Sequence, residues 1–94
     1  MNLSNTNKEF KKFIINFIKA KENNSLNKDY IEYTYYELKV KENLTEEEID
    51  ELLRVSRDYF QNKGYNVYFT NAEFDYCGQR KKVESNDYMV AIKI

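Results

Sequence analysis

Gln79, Arg80, Lys81 and Lys82 set an amide and three cations in succession, directly after Gly78. A guanidinium can fork onto a guanine edge, and Arg or Lys can enter a narrow minor groove. The chemistry these residues allow is recognition of a polyanion by a basic turn. The plainer reading is a solvated hairpin tip, because turns are commonly polar. Asn62 and Lys63, and Lys39 and Lys41 further upstream, are candidates to extend such a surface towards a phosphate backbone.

Other chemistries lack their residues. There is no His, so neither an imidazole base nor a His metal ligand is available. Cys77 is the single cysteine, which excludes the usual zinc clusters. Gly64 and Gly78 are the only glycines, too few for a Gly-rich phosphate loop. No carboxylate pair sits in an apolar stretch that would shift a pKa for acid–base work. The chain is therefore expected to be no enzyme and to hold no metal and no cofactor.

The 94 residues suit one domain, residues 1–94, with a modest core. With 41% hydrophobic and 33% charged residues the chain reads as globular. No run approaches the length of a membrane span, and the charged, Asn-rich start is no signal peptide, so a soluble cytoplasmic protein is expected. A lone Cys77 agrees with a reducing compartment, a redox switch or intermolecular bridge being the alternative. The net charge of −1 means that only a local patch could attract nucleic acid. Twelve Asn, nine Tyr and no Pro match the residue usage of an AT-rich bacterial genome, so lysine abundance alone argues nothing.

Three capping boxes punctuate the chain: Thr6-x-x-Glu9, Thr34-x-x-Glu37 and Thr45-x-x-Glu48. The first opens a helix whose Phe10, Phe13, Ile14, Phe17 and Ile18 form one apolar face, ending at Asn23-Asn24-Ser25. Ile15 lies beyond that face and suggests self-association. Residues 28–34 read as a short strand. Residues 35–41 read as a short second helix burying Tyr35 or Tyr36 with Leu38 and Val40, the alternative being one strand from 30 to 41. After the Asn43-Leu44 turn, a third helix is expected over 46–62, with Ile49, Leu52, Leu53, Ser56 and Phe60 inward and Gly64 as its left-handed cap. Beyond Gly64 the period becomes two. Tyr65, Val67 and Phe69 alternate with polar residues, and "YMVAIKI" sets Val90, Ile92 and Ile94 on one face of a second strand. A long connection of about 71–87, with Gly78 near its tip, joins the two.

Helix, strand, helix, turn, helix, strand, hairpin, strand is an order that resembles the winged helix-turn-helix family, an α+β fold in which 65–94 form the wing. "YYELKVKENLTEEEIDELL…YFQNKGYNVYFT…YMVAIKI" is also similar to the relaxosome accessory proteins of clostridial conjugative plasmids. The resemblance covers nearly the whole chain. It implies a homodimer that binds double-stranded DNA near an origin of transfer and assists a relaxase.

The third helix complicates that picture, because Glu46, Glu47, Glu48, Asp50 and Glu51 precede its first basic residue, Arg54. A carboxylate ~4 Å from a phosphate costs roughly 1 kcal/mol in water and about 4 at an effective dielectric of 20. Non-specific DNA binding is worth about 5.5–8 kcal/mol in all. Five such carboxylates in a groove would consume it. The expected arrangement is therefore inverted: the basic hairpin and the far end of the third helix meet DNA, and the acidic start faces away. A transcriptional regulator of the same fold is one alternative. Another is a protein-interaction module, such as a phage or plasmid adaptor or inhibitor, docking through the acidic helix. Tyr68, Tyr76 and Tyr88 invite base stacking, although core packing and edge cover account for hairpin aromatics more often.

Overall fold

The computed structural model describes residues 7–69, 81, 83, 84 and 86–94. Their elements run α1 (Asn7–Asn24), β1 (Tyr30–Thr34), a short helix (Tyr36–Lys41), α2 (Glu46–Asn62), β2 (Asn66–Phe69) and β3 (Asp87–Ile92). The architecture is α+β, with three helices and one three-stranded antiparallel sheet ordered β1-β3-β2.

The helix signals act where the sequence puts them. At Thr45 both halves of the capping box form: Glu48 N donates to Thr45 Oγ1 at 3.2 Å, and Thr45 N to Glu48 Oε1 at 2.9 Å. At Thr34 only half forms, with Glu37 N donating to Thr34 Oγ1 at 3.2 Å. The Glu37 carboxylate is drawn away instead to an ion pair with Lys21. Thr6 lies outside the described residues. The end of α2 is closed by Gly64 N donating to Gln61 O and Tyr65 N to Phe60 O, both at 3.0 Å. That pair of bonds is a Schellman closure, and it needs the φ of +90° that Gly64 adopts.

The short helix departs from α geometry. Glu42 N donates to Glu37 O at 3.0 Å and Leu44 N to Leu38 O at 3.0 Å, so the turn is wound wide, with bonds spanning five and six residues. This rotates its side chains away from the expected face. Leu38 is fully buried, whereas Tyr35, Tyr36 and Val40 are exposed, contrary to the expectation that a Tyr and Val40 would join the core. Tyr35 instead stacks on Tyr88 of β3, ring centroids 5.8 Å apart.

The main core lies between the helices and one face of the sheet. It joins Phe10, Ile14 and Ile18 of α1, Leu38, Ile49, Leu52 and Phe60, and Ile31, Tyr33, Met89 and Ala91 from the strands. Tyr33 crosses this layer and donates its hydroxyl to Ser56 Oγ at 2.9 Å, both side chains fully buried. Phe17 meets the Tyr33 ring edge-on at 5.2 Å. On the opposite face of the sheet, Val90 and Ile92 are covered by Val83, with Tyr30 and Tyr68 alongside. The inward face expected for the last strand is thus the second face, and Met89 and Ala91 carry the main core. Ile94 stays exposed. As the middle strand, β3 is buried on both faces, which explains its near-continuous apolar run.

Candidate nucleic-acid interface

The connection between β2 and β3 leaves the sheet at the end where Phe69 pairs with Met89. Of its four candidate residues, Gln79, Arg80 and Lys82 lie outside the described residues, as does Cys77. Lys81 is described, and its side chain is turned against the sheet, with only 11% of its surface exposed. Lys81 Nζ lies 3.0 Å from Glu32 Oε2, 3.5 Å from Asp87 Oδ2 and 5.3 Å from the Tyr30 ring centre. Burial pulls the ammonium's pKa down, but the hydrogen bond to Glu32 and the fields of Asp87 and Glu84 more than offset it, so it stands above the ordinary lysine value. The charge of Lys81 is compensated inside the fold. With Val83 it packs against the outer face of the sheet.

Burial is also the first influence on the Asp87 carboxyl and raises its pKa, while the Glu84 N–H at 3.1 Å and the Lys81 ammonium pull the other way without reversing it.

The remaining candidates sit at two separated places. Lys39, on the short helix, is ion-paired with Glu46 in the first turn of α2, and the hydrogen bond from that carboxylate raises its pKa. Lys41 is exposed nearby. Asn62 and Lys63 stand at the far end of α2, about 24 Å along the helix axis from Glu46 at 1.5 Å per residue. Lys63 Nζ lies 2.8 Å from Glu22 Oε2 and 5.0 Å from the Tyr59 ring centre, and its pKa is raised, chiefly by the bond to Glu22. Glu22 also accepts from the Tyr59 hydroxyl at 2.6 Å. Burial acts first on Glu22 and raises its pKa, but the bonds from Lys63 and Tyr59 outweigh it and the net shift is downward.

Three of the eight candidates, Lys39, Lys63 and Lys81, are therefore held by carboxylates of the same chain, and the described ones do not converge on one patch. The spacing of the first helix also puts a group of lysines off its apolar stripe, and the structure agrees. Lys8, Lys11, Lys12 and Lys19 are all exposed on α1, opposite its buried stripe or beside it. Among the described residues no group of acidic, Cys or His side chains could hold a metal, and no helix is long and apolar enough to cross a membrane. Compared with protein-family models, with curated proteins and with solved structures, the chain matches none.

Proposed function

We propose that this chain is a winged-helix protein that binds double-stranded DNA through the connection between β2 and β3, with Arg80, Lys82 and Gln79 as the contacting side chains. One observation carries the reading. The order α-β-helix-α-β-β, with the last strand inserted between the other two as β1-β3-β2, is the topology expected of a winged helix. In this proposal the β2–β3 connection is the wing. The acidic start of α2 supports the inverted docking: Glu46, Glu47 and Asp50 are exposed there. By its similarity to relaxosome accessory proteins such as TcpK, the proposed setting is plasmid conjugation, with a relaxase as partner and an origin of transfer as target.

The ion pairs refine the test. Lys81 has a structural task, so the variant to compare with wild type is Arg80→Ala/Lys82→Ala. Fluorescence anisotropy with duplex DNA across a salt series should give binding whose log–log slope is shallower in the variant by about 1.8 per subunit, at roughly 0.9 per lost phosphate contact. Absence of binding at low salt, or an unchanged slope, overturns the reading. The competing interaction-module reading is favoured by the internal compensation of Lys39, Lys63 and Lys81, and it predicts no DNA binding under any salt condition.

A further inference from the structure

The short helix turns an apolar corner outward. Tyr35 is 52% exposed, Tyr36 61% and Val40 56%, while Leu38 on the opposite side is fully buried. Wide winding of this kind is rare in helices and frequently falls at functional positions. Side chains four apart stand on one side of such a turn, so Tyr36 lies beside Val40 and Tyr35 beside Lys39. Tyr35 is steadied by its stack on Tyr88, with 5.8 Å between ring centres, and half of its surface stays open. The three exposed side chains offer roughly 300 Å² of largely apolar surface, a scale of patch that on a small protein commonly marks a contact. The rim of this patch is acidic. Burial first, then the Glu46 carboxylate, raises the Tyr88 pKa against the pull of Lys39, so these charges adjoin the ring pair. Glu46 is ion-paired with Lys39, yet its side chain is 77% exposed and keeps acceptor capacity beyond that one partner. Glu47 beside it is exposed as well.

We infer that this corner is a docking site for a short extended segment of another protein, one that carries an arginine between apolar residues. A guanidinium is planar and weakly hydrated; it stacks on phenol faces and forks onto carboxylates. The open side of Tyr35 and the free capacity of Glu46 supply both partners at one place. The apolar neighbours of the arginine lie on Tyr36 and Val40. A lysine ammonium in the same position gains the attraction of the carboxylates but neither the fork nor the flat stack. Patch size decides against a folded partner or a second copy of the chain, since specific interfaces cover about 800 Å² on each side. The rim decides against unpaired nucleic acid: bases could stack on Tyr35 and Tyr36, but their phosphates would meet Glu46 and Glu47.

The inference does not rest on the wing or on DNA binding, and its test contains no double-stranded DNA. The probe is the peptide N-acetyl-Leu-Arg-Leu-amide, titrated into isotope-labelled protein and followed by amide chemical shifts. Saturable shifts should be confined to residues 35–40, 46 and 88, with a dissociation constant on the order of 0.1–1 mM. Citrulline in place of arginine keeps the shape and removes the charge, and should weaken binding about 10-fold; lysine should weaken it about 3-fold. Glu46→Gln should weaken the arginine peptide about 5- to 10-fold and leave the citrulline peptide unchanged. Tyr36→Ser should weaken the Leu-Arg-Leu peptide and leave an Ala-Arg-Ala peptide nearly unchanged. Both substituted positions are exposed, so amide signals away from the corner should overlay those of wild type. Absence of saturable shifts up to about 10 mM peptide overturns the inference. So do shifts at a different surface, a citrulline or lysine peptide that binds equally well, or indifference to Glu46→Gln. A short oligothymidine that shifts the same amides at lower concentration also overturns it, and assigns the corner to unpaired bases.

Discussion

Tyr33 and Ser56 join the sheet to α2 through one hydrogen bond of 2.9 Å between two fully buried side chains. Tyr33→Phe removes the donor and strands the Ser56 oxygen without the partner it has now. A buried hydrogen bond contributes about 1 ± 0.5 kcal/mol net, and leaving one member unsatisfied costs about 1–3 kcal/mol. Tyr33→Phe should therefore cost about 1–2 kcal/mol. Ser56→Ala strands the Tyr33 hydroxyl in a site from which burial has displaced water, so its polar penalty is similar. The better helix propensity of Ala returns roughly 0.5 kcal/mol. The double variant leaves an apolar Phe–Ala pair with no orphaned atom, so its loss should fall well short of the sum. The expected coupling is about 1–2 kcal/mol, measured as a double-mutant cycle from urea midpoints at constant m. For a domain of this size each kcal/mol moves Tm by about 4–8 °C, so thermal melts give an independent reading. Losses that add to within about 0.3 kcal/mol would refute the argument, because two groups that truly satisfy each other cannot be removed independently. The phenol's own ionisation offers a further check: burial, first, and the nearby Glu37 and Glu22 push its pKa well above the tyrosine norm, against the pull of Ser56, so Tyr33 should be the last tyrosine to ionise in a spectrophotometric titration.

Three other outcomes are expected. Thr45→Ala removes one reciprocal half of the capping box and should cost about 1 kcal/mol in chemical denaturation. Gly64→Ala places no methyl within 4 Å of a neighbour but forces a φ of +90°, so about 1–2 kcal/mol should be lost through backbone strain alone, and Gly64→Asn should lose less. Two substitutions should alter the pH profile of stability in opposite senses. The folded-state pKa of Glu22 is lowered from 4.5, so its contribution is present above that value and lost as pH falls through the folded pKa. Asp87 is raised from 3.8, so its favourable contribution is full below that value and is lost as pH climbs through the folded pKa. Between pH 3 and 7, Glu22→Gln should lose ground on wild type as pH rises and Asp87→Asn should gain on it, which urea titrations at a series of pH values will reveal.

What could be read in the residues alone divides by how local the cause is. The start of α2 needs only Thr45 and Glu48, its end only Gly64, and its stripe only the spacing of Ile49, Leu52, Ser56 and Phe60, all within one helix. Those features stood in the sequence because their physics is local. The short helix was legible in place and length but not in winding. Its burial of Leu38 rather than Val40 follows from hydrogen bonds spanning five residues, which no apolar period announces. Both faces of β3 are apolar because it is central, so the pattern of Val90 and Ile92 named a buried face without saying which. For the candidate interface the difficulty is greater. Lys81 finds Glu32 forty-nine residues away and Lys63 finds Glu22 forty-one away. Cations of identical appearance in the chain thus divide into ones that hold the fold and ones that face outward, and tertiary structure alone makes that division.

The placement of β3 has one more consequence. Neither β1 nor β2 touches the other; each is hydrogen-bonded only to β3, with Tyr30 and Asn66 both opposite Ile92. Without β3 the sheet therefore has no paired strands at all. Until residues 87–92 arrive, the earlier strands have no edge to join, and closing β1 onto β3 means closing a loop of about 60 residues before any ladder forms. Assembly should be abrupt and comparatively slow, with the helices waiting on the strand. The same dependence makes the chain separable: a fragment ending before Asp87 should be a helical, sheetless partner for a peptide spanning 83–94, and the two should regain the fold together by strand insertion.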